Sequence, residues 1–240
     1  MTAGTLLRLP RLLAATVAEL GLFNAFLYLI SRLGARTAGK ISLQSLRLYT
    51  QPVRRRPLLP EGRGNSIEVR HLTVDEALAA GVPIDPRFVA GRRRSAMICV
   101  AAFKQDAVVG FNWLNFADHD DELVRCRFIS LPHGQCAWGL ELNIVPDARG
   151  SLVYARIWDV THKYLRDRGI LYTTSYVSAF NRMAVNSEER LGGIQLGRAV
   201  FLTIGSWQVM AADLPPYFHV SSSPGSVPAI TLRSTGGTGQ

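Results

Sequence analysis

Between residues 138 and 204 the chain alternates apolar runs of strand length with amphipathic runs of helix length, and nothing else in it limits the fold so strongly. Residues 138–145 (WGLELNIV) read as a strand ended by Pro146, and Asp147-Ala148-Arg149-Gly150 as a turn. Residues 151–168 form an amphipathic helix stopped by Gly169. Residues 170–177 make a second strand, 181–191 a second helix closed by Gly192-Gly193, and 196–204 a final strand. Upstream, residues 66–72 alternate as a strand, and Thr73 with Glu76 forms a capping box for a short helix. Residues 96–103 and 107–116 pair as a hairpin across Lys104-Gln105-Asp106. Gly110, within the second arm, marks a bulge or a close backbone approach. Strands alternating with helices after an antiparallel hairpin specify an α/β domain with a mixed sheet.

The 240 residues are 48% hydrophobic and 19% charged, which excludes a wholly disordered chain and suits one domain with an appendage. No fixed-period repeat is present, so solenoids and propellers are excluded. Cys99, Cys126 and Cys136 lack CxxC spacing, so neither a disulfide framework nor a cysteine-rich metal site is expected. A reducing compartment, the cytoplasm, follows.

The formal charge of +9 is concentrated at one end. Residues 1–56 hold nine bases against Glu19 alone, a net +8, whereas residues 57–240 hold 18 bases and 17 acids. Such a segment seeks nucleic acid or an anionic membrane. Residues 12–30 (LLAATVAELGLFNAFLYLI) decide for the membrane, because nucleic-acid arms seldom carry a long apolar run. Spanning a bilayer needs about 20 apolar residues. A glutamate at its centre costs about 2.5–3.5 kcal/mol. An apolar N-terminal helix lying in the interface of the inner membrane face is therefore expected over a true span. A helix packed on the main domain is the alternative. No A-x-A-like cleavage site follows the run. The expected organisation is a membrane-associating segment over 1–56, a Pro/Gly/Arg-rich linker over 57–65 and an α/β domain over 66–206. A C-terminal extension over 207–240 follows, flexible from about 221. The acids around His119 (Asp118, Asp120, Asp121, Glu122) lack the calcium-loop pattern and read as a solvated loop, so no metal is expected.

The order of elements resembles the GNAT superfamily of acyl-CoA N-acyltransferases. The resemblance is carried by Leu142-Asn143-Ile144-Val145-Pro146-Asp147-Ala148-Arg149-Gly150, by the helix ending Arg168-Gly169-Ile170, and by Tyr176-Val177, Asn181 and Arg190-Leu191-Gly192. It implies a mostly antiparallel, GNAT-like sheet flanked by helices, and acyl transfer from an acyl-CoA or acyl carrier protein thioester to an amine, possibly lipid-linked, acceptor. A Gly-containing turn feeding a helix N-terminus suits a pyrophosphate on physical grounds alone. Arg149, Gly150 and Ser151 belong to that turn. The resemblance further implies that Asn143, Ile144 and Val145 pair with the pantetheine arm, and that Asn181 belongs to the donor site. It also implies a carboxylate base at Glu141. Burial between apolar strands is expected to raise Glu141 toward neutral pH. Where the family commonly places an acidic tyrosine, this chain has Glu188, so Glu188, Tyr176, Tyr217 and water are the candidate proton donors to the thiolate. The family loop carries two or three glycines and this one only Gly150. That departure supports the alternative of a catalytically silent module binding an acyl ligand or a protein partner.

Overall fold

The computed structural model describes residues 20–37 and 40–234. In chain order its elements are α1 (Leu22–Gly34), β1 (Ile41–Pro52), β2 (Glu68–Leu72), α2 (Val74–Ala79), α3 (Pro86–Arg94), β3 (Ile98–Lys104) and β4 (Ala107–Asn115). They continue with β5 (His119–Asp120), β6 (Arg127–Leu131), β7 (Cys136–Ile144), α4 (Val153–Arg166), β8 (Tyr172–Ser178) and α5 (Arg182–Arg190). The chain then runs through β9 (Ile194–Ile204), β10 (Trp207–Ala212), β11 (Phe218–Ser221) and β12 (Ala229–Arg233). Two compact units contain them.

The larger unit comprises Thr50–Glu122, Phe128–Ser175 and the described residues from Leu232. Its sheet runs β8-β7-β4-β3-β2, antiparallel throughout except for the parallel β7–β8 pair. Strand alternation divides the apolar side chains between two faces. Val100, Ala102, Leu114 and Ala137 meet Val153, Ile157 and Leu165 of α4. Cys99, Ala101, Phe111 and Trp113 meet Val74 and Ala77 of α2. Each large side chain buried in these clusters stabilises the fold by about 1.5–3 kcal/mol. Thr73 caps α2 in the expected reciprocal box with Glu76. At Gly110 both expectations hold. The β3–β4 register shifts beside it, between Ala102 and Phe103. A Cβ there would also lie 2.6 Å from Ile144 Cδ1 and 3.1 Å from the Asn143 carbonyl oxygen. Within residues 57–65, the N–H groups of Leu58 and Leu59 donate to the Asp159 carboxylate of α4 at 2.6 and 3.1 Å.

His162 of α4 is buried, with Nε2 3.2 Å from Gln51 Nε2, a contact in which the amide donates to a neutral ring. Burial pushes its imidazole down to about 4, with Arg166 and Arg54 adding to the effect. An unfolded histidine titrates near 6.5. On acidification the unfolded chain therefore takes up a proton that the folded chain refuses. The contribution of His162 is complete above about pH 6.5 and falls away as pH drops toward 4, by about 3 kcal/mol. Chemical denaturation at pH 7 and pH 4 is expected to show this loss, reduced in His162→Gln. An equal loss in the variant would place the acid sensitivity elsewhere.

The smaller unit comprises the described residues up to Tyr49, Leu123–Arg127 and Tyr176–Thr231. Its sheet runs β11-β10-β9-β1, with β9 and β10 antiparallel about the Gly205-Ser206 turn. Residues 123–127 are fastened to β10 through Gln208, whose side chain accepts from the Arg125 N–H and donates to the Arg125 carbonyl at 2.9 and 2.8 Å. Of residues 66–206, those at 123–127 and 176–206 belong to this smaller unit. β9 is not the last strand. The stretch read as a flexible tail contains β12, with Ile230 and Leu232 fully buried. Its Ala-Ile-Thr-Leu-Arg alternates with period two, a signal masked by the Ser, Gly and Pro around it.

The N-terminal helix differs from expectation. Gly21, with φ +77°, precedes α1, which continues to Gly34. Residues 12–19 of the expected run lie outside the described residues. At 13 residues α1 is about 20 Å long, against about 30 Å of bilayer hydrocarbon. Among the described residues no helix is long and apolar enough to cross a membrane.

Candidate functional site

The β7–turn–α4 junction of the larger unit gathers most of the candidate residues. On one side β7 pairs with β4, Glu141 lying opposite Trp113 and Gly139 opposite Leu114, so Leu140 is an extra, bulged residue. On the other side the ladder with β8 covers Cys136–Gly139 against Tyr172–Ser175 and ends there. From Leu140 to Ile144, β7 continues along β4, beyond the last residue of that β8 ladder.

Backbone alternation decides which groups that edge presents. The Val145 N–H donates to the Val109 carbonyl at 3.1 Å, which makes the β4-facing positions Val145, Asn143 and Glu141. Leu142 and Ile144 direct their N–H and C=O groups the opposite way. Of the three residues expected to pair with a pantetheine arm, only Ile144 therefore has suitably directed backbone groups, and Leu142 joins it. Asn143 and Val145 are turned to β4, and the Val145 carbonyl also accepts from the Ala148 N–H at 2.9 Å.

Pro146–Ala148 form a single 3-10 turn, and Gly150 then takes φ +76°, a left-handed conformation that favours glycine. Ser151 Oγ donates to the Ala148 carbonyl at 2.6 Å and accepts from the Val153 N–H at 3.3 Å, so this side chain serves the start of α4. The N–H groups of Gly150 and Leu152 have no protein acceptor among the described residues. No acidic side chain occupies the first turn of α4. Arg149 is exposed, and its Nε donates to the Ile144 carbonyl at 3.1 Å. Free N–H groups at a helix N-terminus beside a guanidinium suit an anion.

Glu141 is not enclosed by apolar strands as expected. Its side chain is 40% exposed, and Oε2 accepts from Arg92 Nη2 at 3.1 Å. The Arg92 guanidinium, with only 4% of the side chain exposed, forks onto Glu122 through Nε and Nη2, both at 2.9 Å. It also lies 5.0 Å from the centroid of the Trp113 ring. Two carboxylates around one guanidinium leave a net charge of −1, with the outer carboxylate half in solvent. Such a group attracts a cation. The bulge at Leu140 creates this arrangement. Leu140 packs with Phe111 and Trp113 on Glu141's face of the sheet, whereas simple alternation would place it on the other. Cys99, in the same cross-strand row, is no competing nucleophile: burial pushes its thiol up to about 12.

The loop expected to be solvated is partly structural. Glu122 turns inward to Arg92, and His119 is buried with its ring 5.0 Å from that of Trp138. His119 Nε2 lies 3.4 Å from Asp121 Oδ2.

Three further candidates belong to the smaller unit. Asn181 is the N-cap of α5, its Oδ1 accepting from the Ala184 N–H at 3.1 Å. Glu188 lies in the last turn of α5, where its carbonyl accepts from Gly193 N–H at 2.8 Å, and Tyr176 is half-buried on β8. Tyr217, named with them as a proton donor, is exposed. Sequence reasoning missed Tyr49 of β1. Burial raises its phenol above the ordinary value, Arg47 opposes this, and Glu189 and Glu188 add to it.

No family model matches the sequence, and no curated protein matches it. Among solved structures, the chain is similar to a conserved protein of unknown function from Staphylococcus epidermidis, with a TM-score of 0.48 and 10% identity. That similarity covers 72% of this chain and 66% of the other. A putative GNAT-family acetyltransferase from Novosphingobium aromaticivorans gives a TM-score of 0.45 and 16% identity over 66% of this chain and 62% of that one. An aminoglycoside N-acetyltransferase solved with CoA gives 0.38 and 15%, over 52% of this chain and 90% of that one. At these scores none of them assigns an activity to this chain.

Proposed function

We propose that the chain is an N-acyltransferase that moves an acyl group from a CoA or carrier-protein thioester to an amine. The observation that carries this reading is the β7–α4 junction. One strand edge directs the polar groups of Leu142 and Ile144 away from β4, ends at the Gly150–Leu152 turn, and bears the half-exposed Glu141 carboxylate. A pantetheine arm laid along that edge would pair with Leu142 and Ile144, its phosphates reaching Arg149 and the free N–H groups. Glu141 takes a proton from the substrate ammonium, whose pKa near 10.4 otherwise keeps it protonated. The neutral amine attacks the thioester carbonyl, a C–N bond forms and the C–S bond breaks, and the proton shed by the attacking nitrogen passes through water to the departing thiolate.

Calorimetric titration with CoA tests the donor half. Arg149→Ala is expected to weaken binding by about 1.5–3 kcal/mol, the range for a charge-assisted hydrogen bond. Gly150→Val is expected to do at least as much harm, because valine strains at φ +76°. Unchanged affinity in both variants would contradict a phosphate at this turn.

A second reading, a silent module that binds an acyl ligand or a partner protein, is favoured by one contact. Arg149 Nε engages the Ile144 carbonyl, an acceptor on the edge a donor would use. Thiol release separates the two readings, since a silent module binds without cleaving the thioester.

A further inference from the structure

Helix α1 turns the wrong side to water. Leu22, Phe26, Leu29 and Leu33 share one stripe at helical spacing, flanked by Phe23, and every one of these side chains is exposed, Leu22 at 78%, Phe26 at 60% and Leu33 at 61%. The protein covers Ala25, at one flank of the stripe, and Leu27 and Gly34 on the face turned away from it. Tyr28, toward that face, meets the Phe180 ring edge-on at 5.5 Å. A helix folded only for water would have the reverse distribution.

What stands around the stripe indicates what covers it. Arg32 lies in the last turn of α1, Arg36 follows in a single 3-10 turn, and Lys40 is exposed just beyond. The Gly205 N–H donates to the Lys40 carbonyl at 2.8 Å, which brings the β9–β10 turn beside this basic end. That turn carries two more exposed apolar side chains, Ile204 and Trp207, the latter 57% exposed. Apolar stripe, cations and an exposed tryptophan together match the chemistry of a bilayer surface bearing anionic headgroups. A second copy of the chain would bring like charges together at Arg32, Arg36 and Lys40.

We propose that α1 lies in the headgroup region of an anionic bilayer, its Leu22–Phe26–Leu29–Leu33 stripe in the acyl boundary and Arg32, Arg36 and Lys40 on lipid phosphates, with Ile204 and Trp207 inserted beside it. Docking of α1 is independent of the acyl-transfer chemistry, and loss of either leaves the other intact.

Sedimentation of the full chain with phosphatidylcholine vesicles, with and without about 30% phosphatidylglycerol, tests this. The protein is expected to sediment with the anionic vesicles and to be released by salt. Arg32→Gln with Arg36→Gln should weaken partitioning about five-fold per charge. Phe26→Ser with Leu33→Ser should weaken it ten-fold or more. A second measurement uses the unsubstituted chain: brominated acyl chains should quench the exposed Trp207, and Trp207→Phe should abolish that quenching. Failure of the unsubstituted protein to bind anionic vesicles overturns the proposal, as does binding indifferent to both double variants. A solution dimer that Phe26→Ser with Leu33→Ser converts to monomer also overturns it, in favour of a second copy on the stripe.

Discussion

Glu141→Gln is expected to lower amine acylation about 10²–10⁴-fold, the usual cost of losing a general base, while CoA affinity stays near that of the unsubstituted chain. Glutamine keeps the shape of the side chain and can still accept the Arg92 Nη2 hydrogen bond. What it cannot do is take a proton from the substrate ammonium. The loss should appear in kcat more than in the donor KM, because the donor contacts lie along Leu142, Ile144 and the α4 N-terminus. Raising the pH should partly restore the rate, since more of the amine then arrives deprotonated. Near-normal turnover of Glu141→Gln between about pH 6 and 9 would return Glu141 to an ordinary strand acid held by a buried arginine.

The second large effect concerns Arg92 and is read in stability. Arg92→Met is expected to destabilise the larger unit by about 3–5 kcal/mol, because it leaves a carboxylate without its cation where water barely reaches. Glu122 is the group that suffers, its side chain being 16% exposed and bound to Arg92 through two contacts of 2.9 Å. Replacing both members, as Arg92→Met with Glu122→Leu, should recover most of that loss, since an apolar pair of similar volume stands no worse than a buried ion pair. Urea denaturation of the two variants checks this. A cost below about 1 kcal/mol for Arg92→Met alone would mean the pair is solvated like a surface salt bridge.

The elements that position the site were legible wherever one periodicity ran long enough. The 98–115 hairpin, the Thr73 capping box and the β7–turn–α4–β8 run all follow the residue pattern, because local spacing alone decides them. The site itself was legible in part. Glu141, Arg149 and Gly150 stand at one junction, yet the partner that holds Glu141 was hidden in Arg92-Arg93-Arg94. Three consecutive arginines carry no mark of which one is buried, and 100° of turn per residue sends the first inward over Trp113 while Arg93 pairs with Asp75 outside.

Bulges were equally opaque. One added residue at Leu140 reverses the face of every side chain beyond it, and hydrogen-bond alternation then turns Leu142 and Ile144 away from β4. Helix α1 shows a third limit. Its apolar spacing marks a stripe but not whether protein or something else covers it, and the residues that pack inward are Ala25, Leu27 and Gly34 instead. β12 was missed because five alternating residues are too few to stand out from their polar flanks.

Amine-dependent release of free thiol, followed with acetyl-CoA and longer acyl-CoA thioesters against a panel of primary amines, tests acyl transfer most directly. Mass spectrometry of the amine confirms the product. The unsubstituted chain is expected to release CoA in step with formation of an N-acylated amine and to lose that release in Glu141→Gln. Thiol release no faster than spontaneous hydrolysis with every CoA and carrier-protein thioester, from a chain that still binds CoA, would contradict catalysis and leave the β7–α4 junction as a binding site alone.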